Sequence, residues 1–192
     1  MEPVTLAGVS SYRRPHPDDF PFPREHAHCP LGLDSRHDAV HAQNAPALAV
    51  LGTFFQNDNA GLEPTTDAER ARLKRVSEDF ADQLRGSGRY RILPLTDAIR
   101  SKVTAGQQPG ECGGCETDYG RALGADLIAW LRVQKVSNLI LNMNVYIADV
   151  KTGRLLLVKS VDLRGNTDDS WSRSLAYLVK NSVLPADIKP AS

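Results

Sequence analysis

The chain has 192 residues, which suits one domain of roughly 150 residues with flanking sequence. Its 23 basic and 23 acidic residues give a formal net charge of zero. This balance argues against a general nucleic-acid binder, which would normally carry a basic excess. No apolar run approaches the roughly 20 residues of a membrane-spanning helix. Residues 1–44 also lack the continuous apolar stretch of a signal peptide, so the sequence alone predicts neither a membrane span nor a leader.

Residues 1–46 differ from the rest of the chain. They hold seven of the twelve prolines and all five histidines, and they show the period of neither a strand nor a helix. We therefore expect a disordered or loosely packed tail. His26, His28 and Cys29 have side chains that bind metals, but their spacing matches no zinc motif, so they are weak metal candidates.

The next part of the chain predicts strands that alternate with helices. Residues 47–55 form a short apolar run, which is typical of a strand buried on both faces. Thr66 and Glu69 have the spacing of a capping box and predict the start of a long amphipathic helix. A short strand, a short helix, another helix and a third strand follow, at residues 90–93, 96–103, 117–123 and 127–136, with Thr117 or Asp118 as the cap of the second of these helices.

A predicted hairpin over residues 133–163 organises the fold. Alternate residues of its first strand are apolar, which indicates one buried face: Leu139, Leu141, Met143, Val145 and Ile147. Residues 151–153 supply the turn, and the apolar run at 155–163 predicts the returning strand. A last helix follows, with an inner stripe that contains Trp171, Leu175 and Leu178.

This order predicts an α/β fold of the mixed α+β kind: a single two-layer or three-layer domain with a mixed sheet of about five strands covered by helices. The helical crossover between the first two strands makes them parallel, and the last three strands form an antiparallel meander. We assign residues 47–185 to the domain, residues 1–46 to the tail described above and residues 186–192 to a C-terminal tail.

The strongest local chemical signal is the pair Cys112 and Cys115, which two glycines separate and a predicted helix start follows. Three interpretations stay open. A local disulfide would tie the Gly-rich loop in an oxidising compartment. A redox pair or half of a metal site would profit from the lower thiol pKa near a helix N-terminus, although a zinc site needs two more ligands. The third interpretation is a pair of idle thiols.

Two groups of side chains are possible binding residues. The first consists of amides near the central hairpin: Gln134, Asn138, Asn142 and Asn144. They suit a polar groove for a peptide or small ligand, although such amides more often satisfy turns or face solvent. The second group surrounds the start of the last helix: Arg164, Asn166, Asp168 and Trp171. An anion can bind at such a position, but the carboxylates there are better explained as helix caps.

Motifs of the common enzyme classes are missing from the sequence. It contains no Gly-rich nucleotide loop, no nucleophile elbow and no His-Glu-x-x-His motif, and residues 47–185 contain no histidine. The absence of histidine weakens most acid–base and catalytic-triad mechanisms. The sequence therefore favours a protein that is not an enzyme and needs no cofactor.

Two short motifs carry a resemblance to known families. Leu-Gly-Ala-Asp before a strand at residues 123–126 and Asp-Val-Lys-Thr-Gly at residues 149–153 resemble the small α/β domain of the TolB amino-terminal type, which recurs in CsgG-like and LpoB-like envelope lipoproteins. A closer resemblance, over residues 48–184, is to a family of predicted secreted bacterial proteins of unknown function. The matching segments are residues 88–90, 112–115, 121–126, 133–142 and 164–171.

The resemblance implies a non-catalytic periplasmic or secreted accessory protein that binds an unknown protein partner in the bacterial envelope. Members of the closer family normally begin with a secretion leader just before the first strand, where this chain has residues 1–44. Two alternatives rest on the residues themselves. One is a thiol-redox or metal-handling protein that uses Cys112 and Cys115, and the other is a small-ligand carrier that uses the amides of the hairpin.

Overall fold

The computed structural model describes residues 45–191, which contain five strands and four α-helices. The strands are β1 (Ala47–Asn57), β2 (Arg91–Leu93), β3 (Leu127–Lys135), β4 (Leu141–Asp149) and β5 (Leu155–Leu163). The helices are α1 (Asp67–Gly86), α2 (Asp97–Ala105), α3 (Cys115–Leu123) and α4 (Asp168–Leu178), which continues into a π-helical turn at Val179–Val183. The metal candidates His26, His28 and Cys29 lie outside the described residues. The tail predicted for residues 1–46 also lies outside them, except for positions 45 and 46, and it stays a prediction.

All five strands form one mixed sheet in the order β2-β1-β3-β4-β5. β1 runs parallel to both β2 and β3, and β3, β4 and β5 form an antiparallel meander. The prediction of a mixed sheet with its first two strands parallel and its last three antiparallel is therefore confirmed. The turn between β4 and β5 contains Gly153 at a φ of 72°, a left-handed conformation that favours glycine.

Helices cover both faces of the sheet, so the domain has three layers. On one face α1 and α4 pack against the sheet through a buried cluster that includes Phe80, Met143 and Leu175. On the other face α2 and α3 pack against a smaller buried cluster, in which Ile99 of α2 accompanies Trp130 of β3. The alternating side chains of β3 and β4 supply both clusters, because successive residues of a strand point to opposite faces.

Side-chain caps begin three of the four helices. At α1 the Thr66 side chain accepts a hydrogen bond from the Glu69 N–H, and Glu69 accepts one from the Thr66 N–H at 2.7 Å, so the predicted capping box is present. Thr96 and Thr167 cap α2 and α4 in the simpler way, each through its own hydroxyl. These contacts satisfy N–H groups that have no partner within their helix.

Helix α3 begins earlier than the sequence predicts. Its N-cap is Gly114, in a left-handed conformation with a φ of 105°, so Cys115 is the first helical residue. The prediction that Thr117 or Asp118 caps this helix is wrong. The Thr117 hydroxyl instead donates to the Gly114 carbonyl oxygen at 2.7 Å from within the first turn. Glycine takes this cap conformation without the steric cost that a side chain would bring.

The buried face of β4 also begins later than predicted. Leu141 is 3% exposed, but Leu139 is 82% exposed, so the prediction that Leu139 belongs to the buried row is wrong. The cause is a turn between β3 and β4, in which the N–H groups of Val136 and Ser137 both donate to the Ile140 carbonyl oxygen. The alternation of a strand applies only after this turn, from Leu141 onward.

The segment that follows the π-helical turn stays attached to the domain. Ile188 is buried, and the Ala191 N–H donates to Asp149 Oδ2 at 2.6 Å. Burial alone would raise the pKa of Asp149, but hydrogen bonds from Ala191 and Thr152 outweigh it and lower the pKa. None of the helices in residues 45–191 is long and apolar enough to cross a bilayer.

Candidate functional site

A buried ion pair lies at the end of the sheet where β3 stops and α1 starts. Lys135, the last residue of β3, places its Nζ 2.9 Å from Glu69 Oε1 and 3.4 Å from Glu63 Oε2. The side chains of Lys135 and Glu69 are 2% and 1% exposed. Removal of either side chain would leave the other as a buried charge without its main partner, so each stabilises the other in this position.

The hydrogen bonds around Glu69 keep it ionised. Burial alone would raise the pKa of Glu69, but the Thr66 N–H and the side chains of Lys135 and Asn166 stabilise the carboxylate and lower the pKa to about 2. Burial alone would lower the pKa of Lys135, but Glu69 and then Glu63 outweigh it and raise the pKa. Both groups are therefore charged at neutral pH.

Asn166 connects this ion pair to the hairpin turn and to α4. Its Nδ2 donates to Glu69 Oε1 at 2.7 Å and to Asn138 Oδ1 at 3.0 Å. Its Oδ1 accepts from Trp171 Nε1 and from an Arg72 nitrogen, each at 3.1 Å. Three of the sequence-selected residues, Asn138, Asn166 and Trp171, thus meet in one network.

Asp168 lies at the start of α4, the position where the sequence allowed an anion site. It accepts from Arg72 Nε at 2.6 Å and from Arg75 at 2.9 Å. Hydrogen bonds from Arg75 and then from Arg72 lower the pKa of Asp168, so this helix start already holds a carboxylate. Arg164 is exposed and faces a different groove, beside Arg173 between β5 and α4.

Two neighbouring loops above the ion pair carry large apolar side chains that face solvent. We name these four residues the loop-tip surface: Leu62, Val136, Leu139 and Ile140, which are 84%, 46%, 82% and 61% exposed. The two loops are tied together, because the Asp58 N–H donates to the Lys135 carbonyl oxygen at 2.9 Å and Asn138 Nδ2 donates to Glu63 Oε2 at 3.1 Å. The four apolar side chains therefore lie on two joined loops, and exposed apolar surface is a feature of protein–protein contacts.

The border of the loop-tip surface is acidic. Asp58 Oδ2 accepts from Gln134 Nε2 at 2.6 Å, and Asp58 Oδ1 accepts from Gln56 Nε2 at 2.8 Å. Within residues 45–191 Asp58 has no basic partner, and Glu63, which pairs with Lys135, remains 41% exposed. Two carboxylates therefore stand beside the apolar side chains.

The amides of the hairpin do not line one groove. Gln134 and Asn142 lie opposite each other on β3 and β4, on the sheet face covered by α2 and α3, and Asn144 Nδ2 donates to Asn142 Oδ1 at 2.6 Å. Asn138 instead bonds to Glu63 and Asn166 on the side of α1 and α4. The four residues are divided between two environments.

Cys112 and Cys115 form a disulfide, with their Cα atoms 5.5 Å apart. Glu116 adds a carboxylate oxygen 3.1 Å from Cys112 Sγ. Among the described residues these three make up the one group of metal-ligand side chains that lie close together, and both sulfurs are bonded to each other. A metal could use them only after reduction, since a thiolate is the ligand form.

The disulfide loop covers part of the sheet face below it. Arg132 pairs with Glu111 at 2.8 Å and donates to the Pro109 carbonyl oxygen at 3.0 Å. Beneath the loop Trp130 stacks on Tyr146, with ring centroids 5.1 Å apart. The Gly-rich loop is therefore packed onto the domain by an ion pair as well as closed by the disulfide.

Comparison with protein families gives one match that spans most of the chain. The family described as "Protein of unknown function (DUF2380)", with the short name DUF3280, matches residues 46–183. The chain belongs to the DUF3280 family. Among curated proteins, none matches this DUF3280 member.

The DUF3280 member is similar to several solved structures. It matches the LpoB C-terminal domain from Salmonella enterica at 15% identity and a TM-score of 0.44, over 62% of this chain and 83% of that one. It matches the lipoprotein GNA1162 from Neisseria meningitidis at 13% identity and a TM-score of 0.48, over 75% and 99%. It matches TolB from Acinetobacter baumannii at 17% identity and a TM-score of 0.34, over 71% and 28%.

The buried ion pair and the loop-tip surface of this DUF3280 chain were not predicted from its sequence. Lys135 carried a usable signal, because it follows Leu131 and Val133 on the parity that is otherwise apolar and buried. A basic residue at such a position indicates a buried partner. The partner Glu69 is 66 residues away and was recognised only as a member of the capping box.

Proposed function

We propose that this protein is a non-catalytic accessory protein of the bacterial envelope that binds a protein partner through the loop-tip surface. The observation that carries the proposal is the exposure of four large apolar side chains on two loops that a buried ion pair holds in place. Such preorganisation lowers the entropic cost of binding, because the loops need not become ordered when the partner arrives.

The acidic border specifies the chemistry of the partner. An apolar recess on the partner would bury the apolar side chains, and Lys or Arg side chains around that recess would pair with Asp58 and Glu63. Charge complementarity at the border of an interface raises the association rate and suppresses wrong partners. The same acidic border opposes docking on an anionic membrane.

The location in the envelope rests on two supports. The disulfide between Cys112 and Cys115 is of a kind that persists in oxidising compartments such as the periplasm. The resemblance to predicted secreted proteins points to the same compartment. A direct test is to separate cell fractions and to alkylate the protein before lysis, with the expectation of a periplasmic protein whose cysteine pair is protected from the alkylating agent.

The thiol-redox alternative has less support than partner binding. Cys115 at the first position of α3 favours a thiolate in the reduced protein. The Glu116 carboxylate 3.1 Å from Cys112 Sγ acts against a second thiolate, because two negative charges would then lie side by side. The small-ligand carrier also has less support, because in residues 45–191 the amides of the hairpin do not converge on one groove.

The test of partner binding compares two variants of the full chain. Leu139→Ser with Ile140→Ser removes the most prominent apolar side chains of the hairpin turn, and Val158→Ser removes an exposed apolar side chain elsewhere, on β5, where Val158 is 51% exposed. A partner captured from envelope extract by the wild-type protein is purified and titrated against all three proteins by calorimetry.

We expect wild type and Val158→Ser to bind equally and the double variant to bind at least about tenfold more weakly, as for residues at the centre of an interface. Circular dichroism checks that the double variant keeps its fold. Equal affinity of the folded double variant would exclude the loop-tip surface as the binding site.

A further inference from the structure

The sheet has an open edge along the second half of β1. β2 has only three residues and pairs with Ala47, Leu48 and Ala49 of β1. Beyond this point β1 continues to Asn57, paired with β3 on its other side, with an irregularity in register between Val50 and Thr53. The six residues of β1 beyond Ala49 that pair with β3, which are Val50 and residues 53–57, therefore have a strand neighbour on one side only.

Two hydrogen bonds show which main-chain groups face the open side. The Asp58 N–H donates to the Lys135 carbonyl oxygen on the β3 side, and the Phe55 carbonyl oxygen accepts from Gln108 Nε2 on the opposite side at 3.5 Å. Because main-chain groups alternate along a strand, those of Thr53 and Phe55 point to the open edge. In residues 45–191 the side-chain amide of Gln108 thus makes a long hydrogen bond at the position where a neighbouring strand would donate.

This edge forms the floor of a groove of about 1000 Å³. One wall comes from α1, through Leu73, Ser77 and Ala81, and the other comes from α2 and the segment that follows it, through Val103 and Gln108. Because helices rise on both sides of the edge, the groove suits a single extended segment better than the edge of another folded sheet. The groove and the loop-tip surface have no residue in common.

The chemistry of the groove defines its occupant. The open length of β1 corresponds to about 20 Å, enough for a strand of about six residues. The walls mix apolar side chains with charged ones, such as Lys74 and Glu78 of α1, so the groove suits an extended segment of mixed polarity. At the end of the groove near Leu95, Arg100 has no carboxylate partner among the described residues, whereas Arg85 pairs with Asp82.

We infer that this groove binds an extended segment of a protein, which adds to the edge of β1 as an extra strand and places a carboxylate beside Arg100. Main-chain hydrogen bonds to Thr53 and Phe55 supply general affinity, and the side chains of the two walls select those of the segment, as in other cases of β-strand addition. The segment displaces the Gln108 amide from the Phe55 carbonyl oxygen. This site is separate from the one that carries the proposed function.

The probe is a pool of acetylated peptides with Val, Ile, Leu or Thr at six central positions and a free C-terminal Asp. Affinity selection on the full chain picks the tightest member, which is then titrated. A copy with N-methyl groups at alternate amides keeps the side chains but cannot pair on the edge. A copy with an amidated C-terminus and Asn in place of Asp lacks the carboxylates.

We expect the N-methylated copy to bind at least about tenfold more weakly than the parent, since it loses several main-chain hydrogen bonds to the edge. Amide spectra should report the change at Thr53 and Phe55. Arg100→Glu should weaken binding of the acidic parent more than of the neutral copy. No binding by any pool member at about 1 mM, or equal affinity of the N-methylated copy, would overturn the proposal.

Variants of β1 separate pairing from side-chain effects. Thr53→Pro removes the outward N–H, which an edge strand tolerates, and Thr53→Ala keeps the N–H while losing the hydroxyl that contacts Ser77 at 2.9 Å. The proline variant should bind the peptide several-fold more weakly than the alanine variant. If the proline variant fails to fold, Ala81→Phe fills the groove from the α1 wall and should abolish binding. Unchanged affinity in a folded Ala81→Phe protein would contradict the site.

Discussion

Lys135 Nζ lies 2.9 Å from Glu69 Oε1, and neither side chain is more than 2% exposed. This contact joins the end of β3 to the first turn of α1, and through Asn166 it reaches the start of α4. Three elements that are distant in sequence therefore meet at one charged pair. The two loops that carry the loop-tip surface lie next to this ion pair, so their positions depend on the pair.

The first prediction concerns the free energy of unfolding of ion-pair variants. Glu69→Gln leaves the charged, buried Lys135 with Glu63, 3.4 Å away, as its remaining carboxylate partner and should cost about 3 kcal/mol, the lower end of the range for a broken buried ion pair. Adding Lys135→Met removes the second charge, so the double variant should be more stable than the sum of the two single losses indicates. Urea unfolding of the four proteins measures this. Additive losses would mean that the two charges do not interact across the core.

The second prediction concerns acid unfolding. The pKa of Glu69 is about 2 in the folded protein and 4.5 ordinarily, so the unfolded chain binds more protons between these values. Stability is therefore full above about pH 4.5 and falls as the pH drops toward 2, by about 3 kcal/mol from this group. Glu69→Gln cannot titrate there and should show a shallower loss. Parallel curves of unfolding free energy against pH for the two proteins would contradict the low pKa.

The third prediction compares two leucines of the same sequence parity. Leu141 is buried at the start of β4, and Leu139 is exposed in the turn before it. Leu141→Ala should cost about 2–5 kcal/mol, and Leu139→Ala should cost less than about 0.5 kcal/mol. Denaturant unfolding of the two variants measures both values. Similar losses would show that the strand begins before Leu141.

Most of the fold could be predicted from patterns among residues that are close together in the sequence. The capping box at Thr66 and the alternation after Leu141 depend on residues within a few positions of each other, and both are present. The start of α3 at Cys115 was missed because Gly114 has no side chain that could signal a cap. The exposure of Leu139 was missed because a turn preserves the sequence parity while ending the strand geometry.

The candidate site was less accessible from sequence because its contacts are long-range. Asn138, Asn166 and Trp171 were selected as separate binding residues, and only the fold shows that they share one network. The open edge of β1 was equally hidden. It exists because β2 is three residues long and β1 is eleven, and sequence patterns do not specify which strands become neighbours.

The last prediction concerns the disulfide. Replacing Cys112 and Cys115 by Ser opens a loop of only four residues, so the chain-entropy model predicts a stability loss of about 2 kcal/mol. The ion pair between Arg132 and Glu111 remains and should keep the loop on the domain. Partner binding at the loop-tip surface should be unchanged, because that surface involves neither cysteine.

Thermal unfolding with and without a reducing agent provides the measurement for this pair. Reduction should lower the melting temperature of the wild-type protein to about that of the double Ser variant, and it should not affect the variant. Mass spectrometry after alkylation of the unreduced wild-type protein should find Cys112 and Cys115 unmodified and Cys29 modified. Alkylation of all three cysteines after oxidative preparation, or a zinc ion retained stoichiometrically by Cys112 and Cys115, would refute the structural role of the disulfide and favour the redox or metal alternative.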